Sequence, residues 1–306
     1  MKLRWTSVAW SVVYLLLLLS LATPLTVVTA FFLIVPGVLL YTTLSPKAFV
    51  LHIAPVWIIS ALIFGPMIWL QAAYFLIPGI VMGHLYKKRA SAIRTILTGA
   101  GTVMALFLMV LLVSTVFFQF NLAAAIEDML NTAMAPLQNV ADSPLSSGVV
   151  WSPELSQQVS SLTVRLIPFT MIVCALVITA IAHAIARPTL GSMGHIVPKL
   201  PPVRDWRLPR SLIWYYLIGL LIQMFGGEAV HQGFMGTILL NMMPLLQFLF
   251  MIQSASLFFF AAYHRKWNPT IPVLLVVAML FIPPLRIVGI LDIAFPLREM
   301  LTRPRR

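Results

Sequence analysis

The amino-acid sequence predicts an all-α protein, a polytopic transmembrane helix bundle of eight or nine spans. Three observations carry that expectation. The chain of 306 residues is 60% hydrophobic and 9% charged, with a mean hydropathy of +0.98, whereas a soluble domain needs roughly 25% charge to wet its surface. The apolar residues are gathered into runs close to the about 20 residues that cross a bilayer as a helix. The charges, net +12, sit in short connections between those runs, which is the positive-inside pattern and argues against nucleic acid as the partner.

In chain order, Met1–Arg4 is basic and Val8–Leu21 is the first apolar run. Ser20-Leu21-Ala22 has the small-x-small form of a signal-peptidase site, but the many spans that follow make a retained first helix the simpler reading. Pro24 turns the chain, and Leu25–Thr42 forms a second span. Ala48–Phe64 and Met67–Tyr86 follow, parted by the turn dipeptide Gly65-Pro66. Lys87-Lys88-Arg89 and Arg94 form a strong cytoplasmic anchor before the fifth span, Thr95–Phe120. Residues 1–120 are thus expected as a five-helix half of a single integral membrane domain, with a cytoplasmic N-terminus.

No Lys or Arg occurs between Thr95 and Val164, so residues 121–161 are expected as an extracytoplasmic loop, with a short amphipathic helix from Glu127 to Met134. Its Ser146-Ser147-Gly148 portion reads as mobile. Leu162–Ala186 returns inward to a cytoplasmic loop, residues 187–210. Its core, Lys199 to Arg210, carries four Lys/Arg, one Asp and three prolines and cannot lie in hydrocarbon. Leu212–Phe225 and Phe234–Tyr263 are the next two spans, with Trp214, Tyr215 and Tyr216 at the interface.

The last segment is ambiguous by length. Thr270–Ile282 is short, Pro283-Pro284 breaks it, and Arg286 precedes a second apolar run to Phe295. If the whole segment crosses, which its combined length favours, Arg286 approaches the far surface and Glu228 is its natural counter-charge. If it turns back, the basic tail with Arg298 stays inside.

Polar residues within the spans are the places to look for chemistry. Gln71 and Tyr74 share a face of the fourth span with Pro78. Thr179, His183 and Arg187 form a stripe on the sixth, Gln223 stacks with Gly219 and Gly227 on the seventh, and the eighth carries Asn241. Each is a candidate for lining a ligand path, set against the routine use of such groups as interhelical hydrogen bonds of about 0.6 kcal/mol. The small-residue pairs Ser7/Ser11 and Gly101/Ala105 read as close helix contacts. Cys174, the single cysteine, reads as a buried packing residue. No catalytic, cofactor or metal site is expected. Glu228-x-x-His231 lacks a matching pair on another helix, and the chain has no His-Glu-x-x-His, Gly-x-Ser-x-Gly or Walker-type loop. Any active transport therefore needs a partner ATPase or an ion gradient.

The block from Phe64-Gly65-Pro66 through Gly79 and Gly83 to Lys87-Lys88-Arg89, the loop Pro201-Pro202 through Trp206-Arg207-Leu208-Pro209, and the ending Gly289-Ile290-Leu291-Asp292 with Phe295 and Arg298 resemble the YybS-like family of bacterial multispanning membrane proteins. Pro296 stands where that family's pattern leads one to expect a polar or acidic residue. The resemblance implies a pattern similar in part to the substrate-binding S-components of energy-coupling-factor transporters, which dock on a partner membrane subunit driven by ATPases. S-components often dock through an Ala-xxx-Ala face on the first helix, where this chain has Ser7-xxx-Ser11. Two functional classes stay open: a solute-binding or transporter subunit taking a small-molecule solute, and a non-transporting scaffold or regulator that docks partners or the lipid bilayer through Arg204, Arg207 and Arg210. Both place the protein in the bacterial cell membrane as a multi-pass, non-enzymatic protein.

Overall fold

The computed structural model describes residues 5–138, 152–227 and 233–302. Among them the regular structure is helical throughout, with no strand. In chain order the helices are α1 (Trp5–Ser20), α2 (Thr26–Thr29), α3 (Ile34–Thr43), α4 (Pro46–Phe64), α5 (Ile68–Lys87), α6 (Ala92–Phe118) and α7 (Leu122–Gln138). Then come α8 (Pro153–Ser192), α9 (Ser211–Phe225), α10 (Gly233–His264), α11 (Thr270–Phe281), α12 (Ile287–Ala294) and α13 (Leu297–Thr302). Five of these, α4, α5, α6, α8 and α10, are long and apolar enough to cross a membrane, and α11 with α12 would make a sixth if the bent pair counts as one span. Helices α1, α3 and α9 are apolar but shorter, at 16, 10 and 15 residues.

Local sequence signals set the boundaries. Ser45 and Ser91 accept hydrogen bonds from Ala48 N and Arg94 N and start α4 and α6, each satisfying a backbone donor that the first helical turn leaves free. Gly65, at φ +80, ends α4 where a side chain would be strained. The segment 121–161, expected as a loop with helix at Glu127–Met134, is instead helical over the whole of Leu122–Gln138 and again from Pro153. Residues 146–148 lie outside the described residues. The expected loop from residue 187 starts later, because α8 runs on to Ser192.

Contacts divide the chain into two compact units, Met1–Asn121 with Thr170–Leu200 and Leu122–Phe169 with Pro201–Arg306. In the first, α3 is buried on nearly every side, as an apolar helix at the centre of a bundle must be. It crosses α5 at backbone distance: a Cβ on Gly79 would lie 3.1 Å from both Ile34 O and Val38 N, and one on Gly83 would lie 3.1 Å from Tyr41 Cδ1. Glycines four apart let two helix backbones approach and gain dispersion contacts that lipid cannot match. On α6 it is Gly99, packed on Met82 and Thr179, that makes the close contact. Gly101 has nothing near its missing Cβ and Ala105 is exposed, so within the described residues the Gly101/Ala105 pair is not the packing face its spacing suggested.

In the second unit the long helix α10 supplies the buried stripe Gly236, Leu239, Met243, Leu246, Phe250, Gln253 and Leu257. Against it lie α9 and the segment α11–α12, in which a 3₁₀ turn, Pro283–Arg286, bends the path by 120°. Prolines 283 and 284 cause the break, since neither can donate to the preceding turn. Gly289 lets α12 sit on the backbone of α10, where any Cβ would collide with the carbonyl of Phe250. Gly289→Ala should therefore cost about 1–3 kcal/mol by overpacking and lower the detergent melting temperature, while Gly101→Ala should leave it unchanged. Equal melting of the two variants would refute the close α10–α12 crossing.

Candidate functional site: a buried arginine beneath the basic loop

The loop between α8 and α9 has too many prolines to satisfy its own backbone. Pro201 and Pro202 lead into a single 3₁₀ turn, Val203–Asp205, after which Trp206 is extended. This leaves the carbonyls of Arg204 and Trp206 and the amide of Leu208 in need of partners, because buried backbone polar groups are almost always paired. Side chains from α10 and α13 provide them. Arg298 Nη1 donates to Arg204 O at 2.7 Å and Nη2 donates to Trp206 O at 2.9 Å. Ser256 Oγ donates to Trp206 O at 2.8 Å, and Leu208 N donates to Gln253 Oε1 at 3.0 Å.

Arg298 is 5% exposed, so its charge needs compensation. Asp292, whose side chain is 1% exposed, accepts from Arg298 Nη2 at 2.9 Å and Nε at 3.1 Å. The same carboxylate accepts from Gln253 Nε2 at 2.5 Å, and Ser256 Oγ accepts from Arg298 Nη2 at 2.9 Å. The Phe260 ring lies 5.1 Å from the guanidinium. Burying two charges is costly unless geometry and further hydrogen bonds compensate. Here both ions are paired and bonded beyond the pair, in the charge-assisted manner that makes such bonds strong. Pro296 starts the turn that returns Arg298 toward Asp292, six residues back. A cavity of about 110 Å³ adjoins the pair, which is room for a few waters.

The loop also meets the start of α11. Pro202, Val203 and Arg204 line an apolar groove with Phe259, Trp267 and Pro272, and the Arg204 guanidinium lies 3.7 Å over the Tyr263 ring. Both ends of the bent segment α11–α12 thus adjoin the same few loop residues: Pro272 at its beginning and, through Arg298, the helix that follows its end. Arg207 and Arg210 are exposed, and Arg204 is half-buried.

The intramembrane polar residues singled out by sequence divide between the two units, Gln71, Tyr74, Thr179 and His183 in the first and Gln223 and Asn241 in the second. Gln71 is exposed. Tyr74 is half-buried and edge-on to Phe75 at 5.0 Å. Thr179 is buried and donates to Ala175 O at 2.8 Å in its own helix. His183, 2% exposed, pairs through Nδ1 with Tyr86 Oη at 2.6 Å. Gln223 is half-buried in the second unit. Asn241 is bound to α8, where Pro168 interrupts the helical bonding: its Nδ2 donates to Arg165 O at 2.7 Å and its Oδ1 accepts from Phe169 N at 2.8 Å. A side-chain amide inserted between a carbonyl and the amide four residues on is a recognised way to stabilise a helix at a proline. None of these residues lines the cavities beside the loop.

The suggested ion pair of Glu228 with Arg286 cannot be placed, since Glu228 lies outside the described residues. Arg286 occupies the corner of the bent segment, and its carbonyl accepts from Ser254 Oγ at 3.2 Å. Sequence reasoning counted Arg298 among the basic tail residues and missed the pair it makes with Asp292. The available signal was the recurrence of Asp292 and Arg298 around Phe295-Pro296 in the ending already singled out.

Arg298→Gln or Asp292→Asn alone should destabilise by about 3–5 kcal/mol, because each leaves a buried charge unpaired. The double variant should be clearly less destabilised than the sum of the two, measured by denaturant unfolding in detergent. Additive effects would contradict the pairing.

The family model described as "Predicted membrane protein (DUF2232)" matches residues 11–293. The chain is 25% identical over 227 residues to "Uncharacterized protein YybS" of Bacillus subtilis (strain 168), covering 72% of each chain. No solved structure matches. With its apolar helices and a family match running over most of its length, the chain belongs to the DUF2232 family of multi-pass membrane proteins, the YybS-like proteins.

Proposed function

We propose that the protein is a non-enzymatic docking subunit of the bacterial cell membrane, in which the loop from Pro201 to Arg210 receives an acidic face of a partner protein. The observation that carries this reading is the buried Arg298, which fixes the loop backbone at Arg204 and Trp206 while Arg207 and Arg210 stay exposed. A preorganised cationic surface loses little conformational freedom on binding, and its charges steer a complementary partner to it. The other reading, a solute-binding subunit of the S-component kind, asks for Gln71, His183, Gln223 and Asn241 around a common cavity. His183 is committed to Tyr86 and Asn241 to α8, which favours docking. Ser7, part of the Ser7/Ser11 pair on α1, is buried, and Ser11 Oγ bonds to its carbonyl, so that pair is poorly placed as a coupling face.

Eight crossings fit this arrangement, with α11–α12 as a re-entrant hairpin. The 120° bend and the loop residues adjoining both ends support it, and Ser254 on α10 partners the carbonyl at the corner. Non-helical backbone at membrane depth is tolerated where protein satisfies it. The C-terminus then lies with the loop on the cytoplasmic side, in keeping with the positive-inside rule.

Two outcomes test these statements. A green fluorescent protein fused after Arg306 should fluoresce, as such fusions do in the cytoplasm, and a dark, exported fusion would restore the ninth crossing. A photo-activated cross-linking residue at Arg207 should give a discrete protein adduct in native membranes, lost when Arg204 and Arg210 are changed to Glu. Adducts to lipid alone would leave the loop a membrane anchor, at about 1 kcal/mol per surface cation.

A further inference from the structure

The first unit contains no acidic residue. The first Asp or Glu in the chain is Glu127, and none occurs between Thr170 and Leu200. No cation there has a side-chain carboxylate of its own unit to pair with. At the ends of α5 and α8 this has a consequence, because Lys87, Arg89 and His195 line one cavity of about 330 Å³ together with Thr42, Tyr86 and the turn at Gly194.

The lining is held in place. Tyr86 is 2% exposed and its hydroxyl is fixed by His183. Lys87 Nζ donates to Leu44 O at 3.0 Å and sits 4.6 Å from the Tyr41 ring centre. Arg89 adopts φ +53 in the turn that ends α5, with its amide on Tyr86 O. Gly194, at φ +85, turns the chain after α8 and presents His195. The plainer account is that these cations cap two helix C-termini. Each terminus supplies about half a negative charge, against a full positive charge on each of Lys87 and Arg89, so the cavity stays net positive. Its donors comprise an ammonium, a guanidinium and an imidazole, the groups that hold phosphate oxygens.

We propose that this cavity binds a phosphate group, carried either by a lipid headgroup at the membrane surface or by a soluble phosphate ester. The site is in the first unit and does not depend on the docking role of the loop in the second. No side-chain carboxylate of the unit competes for these cations, and the positive charge left after the helix termini are counted favours an external anion.

The test uses the full chain, purified in detergent, with Arg89→Asn and His195→Gln as separate variants. Asn tolerates the positive φ at position 89, and neither side chain is buried, so both variants should fold. In one arm, binding of glycerol phosphate is measured by calorimetry. In the other, nanodiscs containing phosphatidylglycerol or phosphatidylcholine are compared by native mass spectrometry for lipid retained after release. Glycerol phosphate binding that weakens about tenfold in each variant, as loss of one charge-assisted bond predicts, supports a soluble ligand. Selective retention of phosphatidylglycerol that falls in each variant supports the headgroup. Absence of both, or binding that the variants leave unchanged, overturns the site.

Discussion

The ion pair of Arg298 with Asp292 is the constraint on which the second unit depends. Three elements that share no backbone bonds converge on it: the loop before α9, the buried stripe of α10, and the turn between α12 and α13. The proline content of the loop keeps it from forming a helix or strand of its own, so its carbonyls must be met by side chains. A neutral donor would serve one or two of them. A guanidinium has five N–H groups in a planar fork, enough to bond Arg204, Trp206 and Ser256 while still facing the carboxylate. The buried charge this introduces requires Asp292, and Gln253 then links that carboxylate to the loop amide of Leu208. Removing any one member leaves its neighbours unsatisfied.

The first unit is stabilised differently. It has no side-chain carboxylate, and its core is close packing of α3 on α5, backbone to backbone at Gly79 and against the Tyr41 and Thr42 side chains at Gly83, with Gly99 of α6 against Met82. Dispersion at close approach takes the place of buried ion pairing. Tyr14 Oη bonds Ala72 O at 3.1 Å and Tyr86 bonds His183, while His183 Nε2 and Arg187 Nε are buried without a hydrogen bond. Lys87 and Arg89 lie at the end of α5, and Arg187 lies inside α8.

Much of this was legible in the sequence because the deciding physics is local. Apolar runs gave the long helices; Gly65-Pro66 marked a turn; and the prolines and charges from Lys199 to Arg210 marked a loop. The extent of α7 was not legible, since 122–138 mixes apolar, polar and small residues at a density that fits a loop as well as an amphipathic helix. The Gly101/Ala105 pair was singled out by its spacing, and spacing alone does not say which side of α6 meets protein. Arg298 was missed for a related reason. Positive-inside counting treats every arginine near a terminus as solvated, and only the fold brings Ser256, Trp206 and Asp292 to the same side chain.

The candidate lining residues show why polar groups within apolar helices are weak evidence of a path. Asn241 lies 72 residues from the amide it accepts from, and the sequence links them only through Pro168, next to the opened Arg165–Phe169 bond that Asn241 bridges. His183 and Tyr86, 97 residues apart, likewise meet each other's need. Those pairings commit Asn241 and one ring nitrogen of His183 to structure. Arg207 and Arg210, on a loop held from beneath, stay exposed, and Lys87, Arg89 and His195 line one cavity at the helix ends. The docking role proposed for the loop draws on charges that stay hydrated until a partner arrives, over an apolar interior that supplies a rigid base.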